Sequence, residues 1–200
     1  MSVYLDANAT EALRPEARAA MLGALDAANP ASVHRPGRAA RRLLEDARES
    51  LAALFGARAD GVIFTSGGTE ANALAIAALG AGRRLILGAT EHDAVRAACP
   101  GAAILRVDGD GRADLDHLAG LLAAPGPALV ALMAANNETG VLHPIAEAAA
   151  LCRAHGAMLH VDAVQAGGRV PVSLAALGAD ALALAGHKLG GPMGAGALLL

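Results

Sequence analysis

Aromatic residues and cysteines are scarce in this sequence. Its 200 residues include no tryptophan, one tyrosine, two phenylalanines and two cysteines. Cys99 and Cys152 are too few for a disulfide framework, so a reducing, cytoplasmic location is expected. No apolar run approaches the roughly 18 to 20 residues of a membrane span. The first residues show no basic region followed by an apolar one, so no secretory signal is predicted.

Net charge and apolar content restrict the class of protein further. The formal net charge is −3 and basic residues form no long run, which argues against nucleic acid as a partner. Hydrophobic residues make up 54% of the chain, enough for the core of one or two domains. A disordered or fibrous protein is therefore excluded.

Lysine is almost absent. Of the 16 basic residues, only Lys188 is a lysine. Arginine serves surface charge equally well, but its guanidinium stays protonated and cannot form a Schiff base. Lys188 is therefore a candidate for covalent chemistry. The alternative is that a compositional bias toward arginine left this one lysine by chance.

Short apolar runs alternate with helical patterns from about residue 60 onward, which is typical of βαβ units and an α/β fold with a mostly parallel sheet. The predicted strands are Val62–Thr65, Arg84–Leu87, Ala103–Val107, Ala128–Met133, Met158–Val161, Asp180–Leu184 and Gly196–Leu200. The predicted helices are Arg14–Ala27, Gly37–Phe55, Glu70–Leu79, His92–Ala98, Asp114–Leu122 and Ile145–His155.

Polar residues follow five of these strands at their carboxyl ends. The segments are Ser66–Glu70, Glu91–His92, Asn136–Gly140, Asp162–Gln165 and Gly186–Lys188. In open α/β sheets, ligands bind beyond the carboxyl ends of the strands. We therefore expect these groups to meet at one rim of the sheet.

The Ser66–Thr69 segment joins a predicted strand to a predicted helix. Unpaired N–H groups and the helix dipole bind an anion such as phosphate at such a point. The segment matches neither the P-loop nor the dinucleotide-binding pattern, which disfavours an ordinary nucleotide loop. The alternative is a simple N-cap in which glycines ease the turn.

Asp162 ends an apolar strand, so its carboxylate is expected to be partly buried and to need a partner. A protonated ring nitrogen of a cofactor would serve, and an N-cap or a loop hydrogen bond is the alternative. His160 lies two residues earlier, on the same face of the strand. No metal-binding motif accompanies the pair, so no metal site is predicted.

Two histidines and an asparagine lie among these segments. His92 could act as an acid or base or lie against a planar ring, and His187 beside Lys188 could contact a phosphate. Either could equally be a structural histidine, and Asn137 is ambiguous by itself. Both cysteines fall in alanine-rich helical patterns and are interpreted as structural.

The combination is more specific than its parts. A phosphate site, a carboxylate for a pyridinium nitrogen, a histidine, amides for a phenolic oxygen and one lysine for an imine are what pyridoxal 5′-phosphate requires. The carboxylate keeps the ring nitrogen protonated, so that the ring accepts the electrons of a substrate carbanion. The sequence therefore predicts this cofactor.

Seven segments carry a resemblance to a known family. They are Tyr4–Thr10, Asn29–His34, Phe64–Asn72, Glu91–His92, Asn136–Gly140, His160–Gln165 and Gly186–Lys188. In order and spacing they resemble the cysteine desulfurases of the NifS/IscS type, class V aminotransferases among the fold-type I pyridoxal phosphate enzymes. The resemblance covers essentially the whole sequence.

The resemblance implies a three-layer α/β fold with helices on both faces of the sheet. Residues 15–200 would form the cofactor-binding large domain, and residues 1–14 would associate with a small domain. The family continues for nearly as long again, so most of that domain would be absent from this chain. A homodimer is also implied.

The resemblance assigns roles to particular residues. The catalytic residues would be Lys188 and His92. The cofactor-binding residues would be Gly68, Thr69, His92, Asn137, Asp162, Gln165, Gly186, His187 and Lys188. Lys188 would carry the cofactor as an imine and then move protons at the substrate α-carbon.

The other assignments divide between the two ends of the cofactor. Asp162 would pair with the ring nitrogen, and His92 would lie against the ring. Asn137 and Gln165 would contact the region of the ring hydroxyl. The phosphate would be held by Gly68, Thr69 and His187.

The activity implied is conversion of L-cysteine to L-alanine, with sulfur passed as a persulfide to an acceptor or scaffold protein. Iron–sulfur cluster assembly, tRNA thiolation and molybdenum cofactor synthesis are left open as destinations. The persulfide cysteine and the arginine for the substrate carboxylate belong to the part that this sequence lacks, and neither Cys99 nor Cys152 matches that cysteine. Ala185 stands where the family usually has a phosphate-binding serine, and Met193 where it usually has lysine.

Three alternatives are left open by the residues. One is a selenocysteine lyase or another class V enzyme. Another is a truncated, catalytically silent domain, favoured by the expectation that the last strand, Gly196–Leu200, lies unpaired at an apolar edge. The third is a generic nucleotide-binding α/β module.

Overall fold

The computed structural model describes residues 3–200 and contains one seven-stranded sheet. Met1 and Ser2, the first two residues of the predicted 1–14 segment, lie outside the described residues. The strands are β1 (Val62–Thr65), β2 (Arg84–Gly88), β3 (Ala103–Leu105), β4 (Ala128–Met133), β5 (Met158–Asp162), β6 (Ala181–Ala185) and β7 (Gly196–Leu199). The helices are α1 (Pro15–Ala24), α2 (Arg35–Phe55), α3 (Gly68–Leu79), α4 (Asp93–Ala98), α5 (Leu115–Leu122), α6 (Ile145–Ala154) and α7 (Leu174–Leu177). Within the described residues, no helix combines the length and apolar character needed to cross a membrane.

Every strand and helix expected from the sequence is present, with shifts of a few residues at the ends. The strand β3 stops at Leu105 because Val107 instead forms an isolated bridge with Ala113 across a turn. The helix α7 was not predicted, since four residues show no helical period; Ser173 caps its start and Gly178 ends it in the left-handed conformation.

The strand order is β1-β7-β6-β5-β4-β2-β3. The strands β2 to β6 pair in parallel, and β7 runs antiparallel to both of its neighbours, β1 and β6. The prediction of a mostly parallel sheet is confirmed. The expectation that the last strand is unpaired is wrong, because Leu199 pairs with Val62 on one side and with Leu182 on the other. The structure thus removes the feature that favoured a silent domain.

The two faces of the sheet carry residues of different size. On β6, Leu182 and Leu184 pack into the larger core, which also contains residues of α2, α5 and α6. Ala181 and Ala183 face the other way, against the alanines of α3. The implied arrangement of three layers, with helices on both faces, is confirmed. Because the side chains between them are small, α3 lies close against the sheet.

This close packing positions the polar ends of the elements. The helix α3 starts beyond the carboxyl end of β1, and His160 and Asp162 of β5 lie on the face that α3 covers. The carboxyl ends of the parallel strands meet at the same edge. The expectation of one polar rim is confirmed, since residues that follow β1, β2, β4, β5 and β6 line a single cavity there.

Replacing Ala75 of α3 by leucine tests the close contact between helix and sheet. Ala75 is fully buried against alanines of the sheet, whereas Ala73 on the same helix is exposed. Overpacking a tight core costs about 1–3 kcal/mol. We expect Ala75→Leu to lower the free energy of unfolding in urea by this amount, and Ala73→Leu to change it by less than about 0.5 kcal/mol. Equal effects of the two substitutions would contradict the close packing.

Candidate functional site

A cavity of about 490 Å³ opens at the carboxyl ends of the central strands, within the roughly 300–1,000 Å³ usual for small-molecule sites. Its lining residues are Asp6, Asn8, Ala9, Gly68, Thr69, Asn72, His92, Ala94, Met133, Ala135, Asn137, Glu138, Asp162, Val164, Gln165, Ala185, His187 and Lys188. All the predicted cofactor-binding residues except Gly186 are among them.

Gly186 shapes the turn that carries its two neighbours. It starts a short 3₁₀ turn that contains His187 and Lys188. Its N–H donates to the carbonyl of Ala195 at 2.8 Å, and an added Cβ would lie 3.0 Å from the carbonyl oxygen of Pro192. The packing of the backbone therefore favours glycine there.

The start of α3 forms one end of the cavity. Gly68 is its first residue, and a Cβ at this position would come within 2.6 Å of the Val164 side chain. Both the N–H and the hydroxyl of Ser66 donate to the Glu70 carboxylate, at 2.6 and 2.7 Å, which fixes the loop before the helix. The first N–H groups of a helix have no partner within it and attract anions. With Thr69 beside them, this end of the cavity fits a phosphate.

Asp162 lies in the floor of the cavity and is only 6% exposed. Its Oδ1 accepts from the Val164 N–H at 2.9 Å, and its Oδ2 accepts from Asn72 Nδ2 at 2.8 Å. Burial raises the pKa of Asp162, while these two hydrogen bonds and the charges of His92 and Lys188 oppose the rise. Among the described residues, no basic side chain forms an ion pair with it. A buried carboxylate at a cavity wall that lacks a paired cation fits the cationic ring nitrogen of pyridoxal phosphate.

Lys188 reaches the same cavity from the opposite side. Its Nζ donates to the carbonyl of Asn8. Burial lowers the pKa of Lys188, and the charge of Arg169 lowers it further, while Asp6 and Asp162 oppose the change. A lower pKa increases the fraction of neutral amine, which is the form that attacks an aldehyde. The surroundings of the single lysine therefore suit imine chemistry.

Asn8 ties the N-terminal segment across the cavity. Its carbonyl also accepts from Gln165 Nε2 at 2.9 Å, and its Nδ2 donates to the Asn137 carbonyl at 2.9 Å. Arg169 Nη1 donates both to Asn8 Oδ1 at 2.7 Å and to Gln165 Oε1 at 2.6 Å. Sequence reasoning missed Asn8 and Arg169, because no local pattern connects residues about 130 to 160 positions apart.

His92 caps α4 and does not belong to the helix, which starts one residue later than predicted. Its Nδ1 accepts from the Ala94 N–H at 3.1 Å, so the proton of the neutral ring lies on Nε2. The preceding residue, Glu91, is 3% exposed, and its Oε1 accepts from the Met133 N–H at 2.6 Å. Burial raises the pKa of Glu91 well above its usual value. This buried carboxyl group anchors the His92 loop to the end of β4.

Asn72 is the third residue that sequence reasoning did not single out. It is 2% exposed, lines the cavity and contacts both Asp162 and His160. A signal was present in the sequence, since Asn72 is the only polar residue in the stretch Ala71–Leu79. Among the described residues, no group of three or more His, Cys, Asp or Glu side chains is arranged to hold a metal ion.

Cys99 and Cys152 lie away from the cavity. Both are free and buried, with exposures of 4% and 1%, and neither lines the cavity. Burial raises the pKa of the Cys99 thiol and raises the pKa of Cys152 to about 12. Because the thiolate is the reactive form, the structural interpretation of both cysteines agrees with their burial.

A thiol titration tests this burial. In native protein at pH 8, we expect Ellman's reagent to label both cysteines much more slowly than it labels free cysteine, and full labelling of both in 6 M guanidinium chloride. A raised pKa means that the thiol form persists as pH rises, so the native rate should still increase between pH 8 and pH 10. Rapid labelling of either residue in folded protein would show an accessible, activated thiol.

The fold and the site together define an α/β protein of the fold-type I class, in which a lysine, a buried carboxylate and a helix N-terminus surround one cavity. Residues 3–200 match the family model described as Aminotransferase class-V. The chain belongs to this family.

Similar proteins were found among both sequences and solved structures. A cysteine desulfurase of Cereibacter sphaeroides is 47% identical over 213 residues, which cover 99% of this chain and 55% of that protein. The cysteine desulfurase IscS of Dictyoglomus turgidum is 40% identical, covering 99% of this chain and 54% of its own length. The chain spans about half the length of the curated relatives it matches.

The structural matches extend over the whole fold. A NifS-like protein from Rickettsia africae superposes with a TM-score of 0.93 at 36% identity, covering 99% of this chain and 57% of that one. The protein described as SspA in complex with cysteine superposes with a TM-score of 0.90 at 26% identity, covering 100% of this chain and 61% of that one.

Proposed function

We propose that this chain provides the cofactor-binding part of a pyridoxal phosphate-dependent cysteine desulfurase that acts on L-cysteine. The observation that carries the proposal is that the only lysine of the sequence, Lys188, lies in one cavity with Asp162, a buried carboxylate that forms no ion pair among the described residues. The family and the relatives named cysteine desulfurase support the same proposed function.

Different side chains of the cavity would bind and act on different parts of the cofactor and substrate. When bound, pyridoxal phosphate supplies an aldehyde that reacts with an amine and a ring that accepts the electrons of a substrate carbanion. Lys188 would bind the aldehyde carbon and later move a proton at the substrate α-carbon. Asp162 would hold the proton on the ring nitrogen, and His92 would lie against the ring and assist proton transfer. Gln165 and Asn137 would orient the ring oxygen.

The phosphate would be held at the start of α3. Gly68 and Thr69 bring N–H groups and a hydroxyl to this end of the cavity, and His187 lies on the adjoining wall. Asp162 in the floor of the cavity is only 6% exposed, so solvent screens its charge interactions less than at the surface.

Sulfur transfer would need a thiol that these 200 residues do not bring to the cavity. The C–S bond of L-cysteine would break as an S–S bond forms on an attacking thiolate; the electron pair of the C–S bond would stay with the substrate, whose β-carbon takes up a proton to give alanine. Because Cys99 and Cys152 are buried elsewhere, we propose that this thiolate comes from another segment or polypeptide. The persulfide would then pass to an acceptor or scaffold protein.

The assembly is part of the same proposal. We propose a homodimer in the cytoplasm, with residues 15–200 as the large domain and residues 1–14 associated with a small domain. The helix α1 buries none of its residues, and Met21 and Leu22 on it are exposed. Apolar side chains clustered on a surface element commonly mark a site where further protein packs.

Lys188→Ala tests the cofactor proposal directly. We expect the wild-type chain mixed with pyridoxal phosphate to absorb above roughly 400 nm, as conjugated imines of this cofactor do. After borohydride reduction, its intact mass should be higher by the mass of one bound cofactor. Lys188→Ala should lose both signals, because the chain then has no side-chain amine. The exposed Arg42→Ala serves as the matched control and should behave as wild type. A mass label on the N-terminal amine alone would refute the proposal.

Ala185→Ser tests the phosphate end of the cavity. Ala185 lines it next to Gly68 and offers no hydroxyl. One added hydrogen bond is worth about 1 kcal/mol, so we expect pyridoxal phosphate to bind about fivefold more tightly. Pyridoxal, which has no phosphate, should bind equally to both forms. An equal gain in affinity for pyridoxal would show that the added hydroxyl does not contact the phosphate.

A further inference from the structure

Three buried polar side chains form a chain behind the cavity floor. His160 Nε2 lies 2.7 Å from Asn72 Oδ1, and Asn72 Nδ2 lies 2.8 Å from Asp162 Oδ2. The exposures of His160, Asn72 and Asp162 are 0%, 2% and 6%. They lie between α3 and the sheet on the alanine-lined face, where buried polar groups need hydrogen-bond partners.

The charge on Asp162 sets the direction of both hydrogen bonds. An ionised carboxylate only accepts hydrogen bonds, so the amide nitrogen of Asn72 must face it. The amide oxygen then faces His160, and His160 must donate from Nε2. Asn72 thereby couples the protonation of Asp162 to the position of the proton on His160.

The surroundings of His160 agree with this direction. Burial lowers the pKa of His160 to about 4, so the ring is neutral at pH 7 and carries one proton. Its Nδ1 forms no hydrogen bond of good geometry among the described residues, although the backbone of Ala181 acts on the ring and opposes the lowering of its pKa. A buried N–H without a partner is costly, so the proton belongs on Nε2, where Asn72 Oδ1 accepts it.

The opposite state would reverse the chain. If Asp162 were protonated, its hydroxyl would donate to the Asn72 amide oxygen, and the amide nitrogen would face His160. The ring would then accept at Nε2 and carry its proton on Nδ1. That arrangement leaves the Nδ1 proton buried with no well-formed hydrogen bond among residues 3–200, so the packing around His160 disfavours it.

We propose that Asn72 and His160 are positioning residues that keep Asp162 ionised and fixed as the acceptor for the ring nitrogen of pyridoxal phosphate. The inference rests on the proposed function. A buried carboxylate tends to take up a proton, and hydrogen bonds to its charged form oppose this. Oδ1 and Oδ2 each receive one hydrogen bond from the protein, and lone pairs remain on the carboxylate for a ring N–H.

The sharpest test compares two ligands on one variant. Asn72→Leu keeps the branched shape of the side chain, with larger methyl groups in place of the amide atoms, and removes the donor to Asp162. We expect it to bind pyridoxal phosphate about 10- to 100-fold more weakly, since hydrogen bonds to charged groups have about that effect. The carbocyclic analogue in which C–H replaces the ring nitrogen should lose less than about threefold. A structural defect would weaken both ligands equally, and that result would overturn the proposal.

A matched pair at His160 tests the outer residue. His160→Gln places an amide N–H donor near the position of Nε2, whereas His160→Leu has no donor. We expect the glutamine variant to bind pyridoxal phosphate within about threefold of wild type and the leucine variant to bind about tenfold more weakly. An equal loss of affinity in both variants would show that a donor at position 160 does not have the proposed role.

A measurement on wild-type protein avoids variants that fail to fold. Nitrogen-15 NMR of His160 at pH 7 should show a neutral ring with its proton on Nε2. A proton on Nδ1 would overturn the proposal. If wild type binds neither ligand, the proposed function fails. If it binds both equally well, the cofactor function stands and the role of the Asp162 chain is refuted.

Discussion

In the proposed function, the site depends on one constraint, which is that a carboxylate must stay charged inside the protein. Asp162 ends β5 beneath α3, and no basic side chain among the described residues pairs with it. Two donors hold it, the Val164 N–H and Asn72. Asn72 reaches Asp162 because the facing residues of α3 and β6 are alanines, and Val164 fits beside α3 because Gly68 has no side chain. The small residues of this face therefore allow both the close packing of α3 and the hydrogen bonds to the Asp162 carboxylate.

The sheet topology brings the other groups to that carboxylate. Parallel strands direct their carboxyl ends to one edge, and β7 returns antiparallel between β1 and β6, so that the turn with Lys188 lies close to the start of α3. The N-terminal segment then crosses the same edge, where Asn8 accepts from Lys188 and Gln165 and donates to Asn137. Residues from both ends of the sequence thus enclose a single cavity.

Much of this arrangement is predictable from the sequence because its signals are local. Alternating apolar runs predict the strands, the single lysine indicates Lys188, and a polar residue at the end of an apolar strand indicates Asp162. The missed features depend on contacts between distant segments. Pairing of β7 with β1 joins residues more than 130 positions apart, and the contact of Asn72 with Asp162 spans 90. Gly186 does not line the cavity and shapes the backbone turn that carries His187 and Lys188, a feature that only packing reveals.

The charges of Lys188 and Asp162 explain why a cationic ring suits this cavity. Burial lowers the pKa of the lysine and raises that of the aspartate, while each opposes the other's shift through its own charge. In the protein alone, the charges of His92 and, to a smaller extent, of the Lys188 ammonium favour the ionised carboxylate. A ligand that reacts with the Lys188 amine changes the positive charge that acts on Asp162. If the same ligand brings a protonated nitrogen beside Asp162, it supplies a new positive charge next to the carboxylate, and Asn72 with His160 already holds the acceptor in place for it.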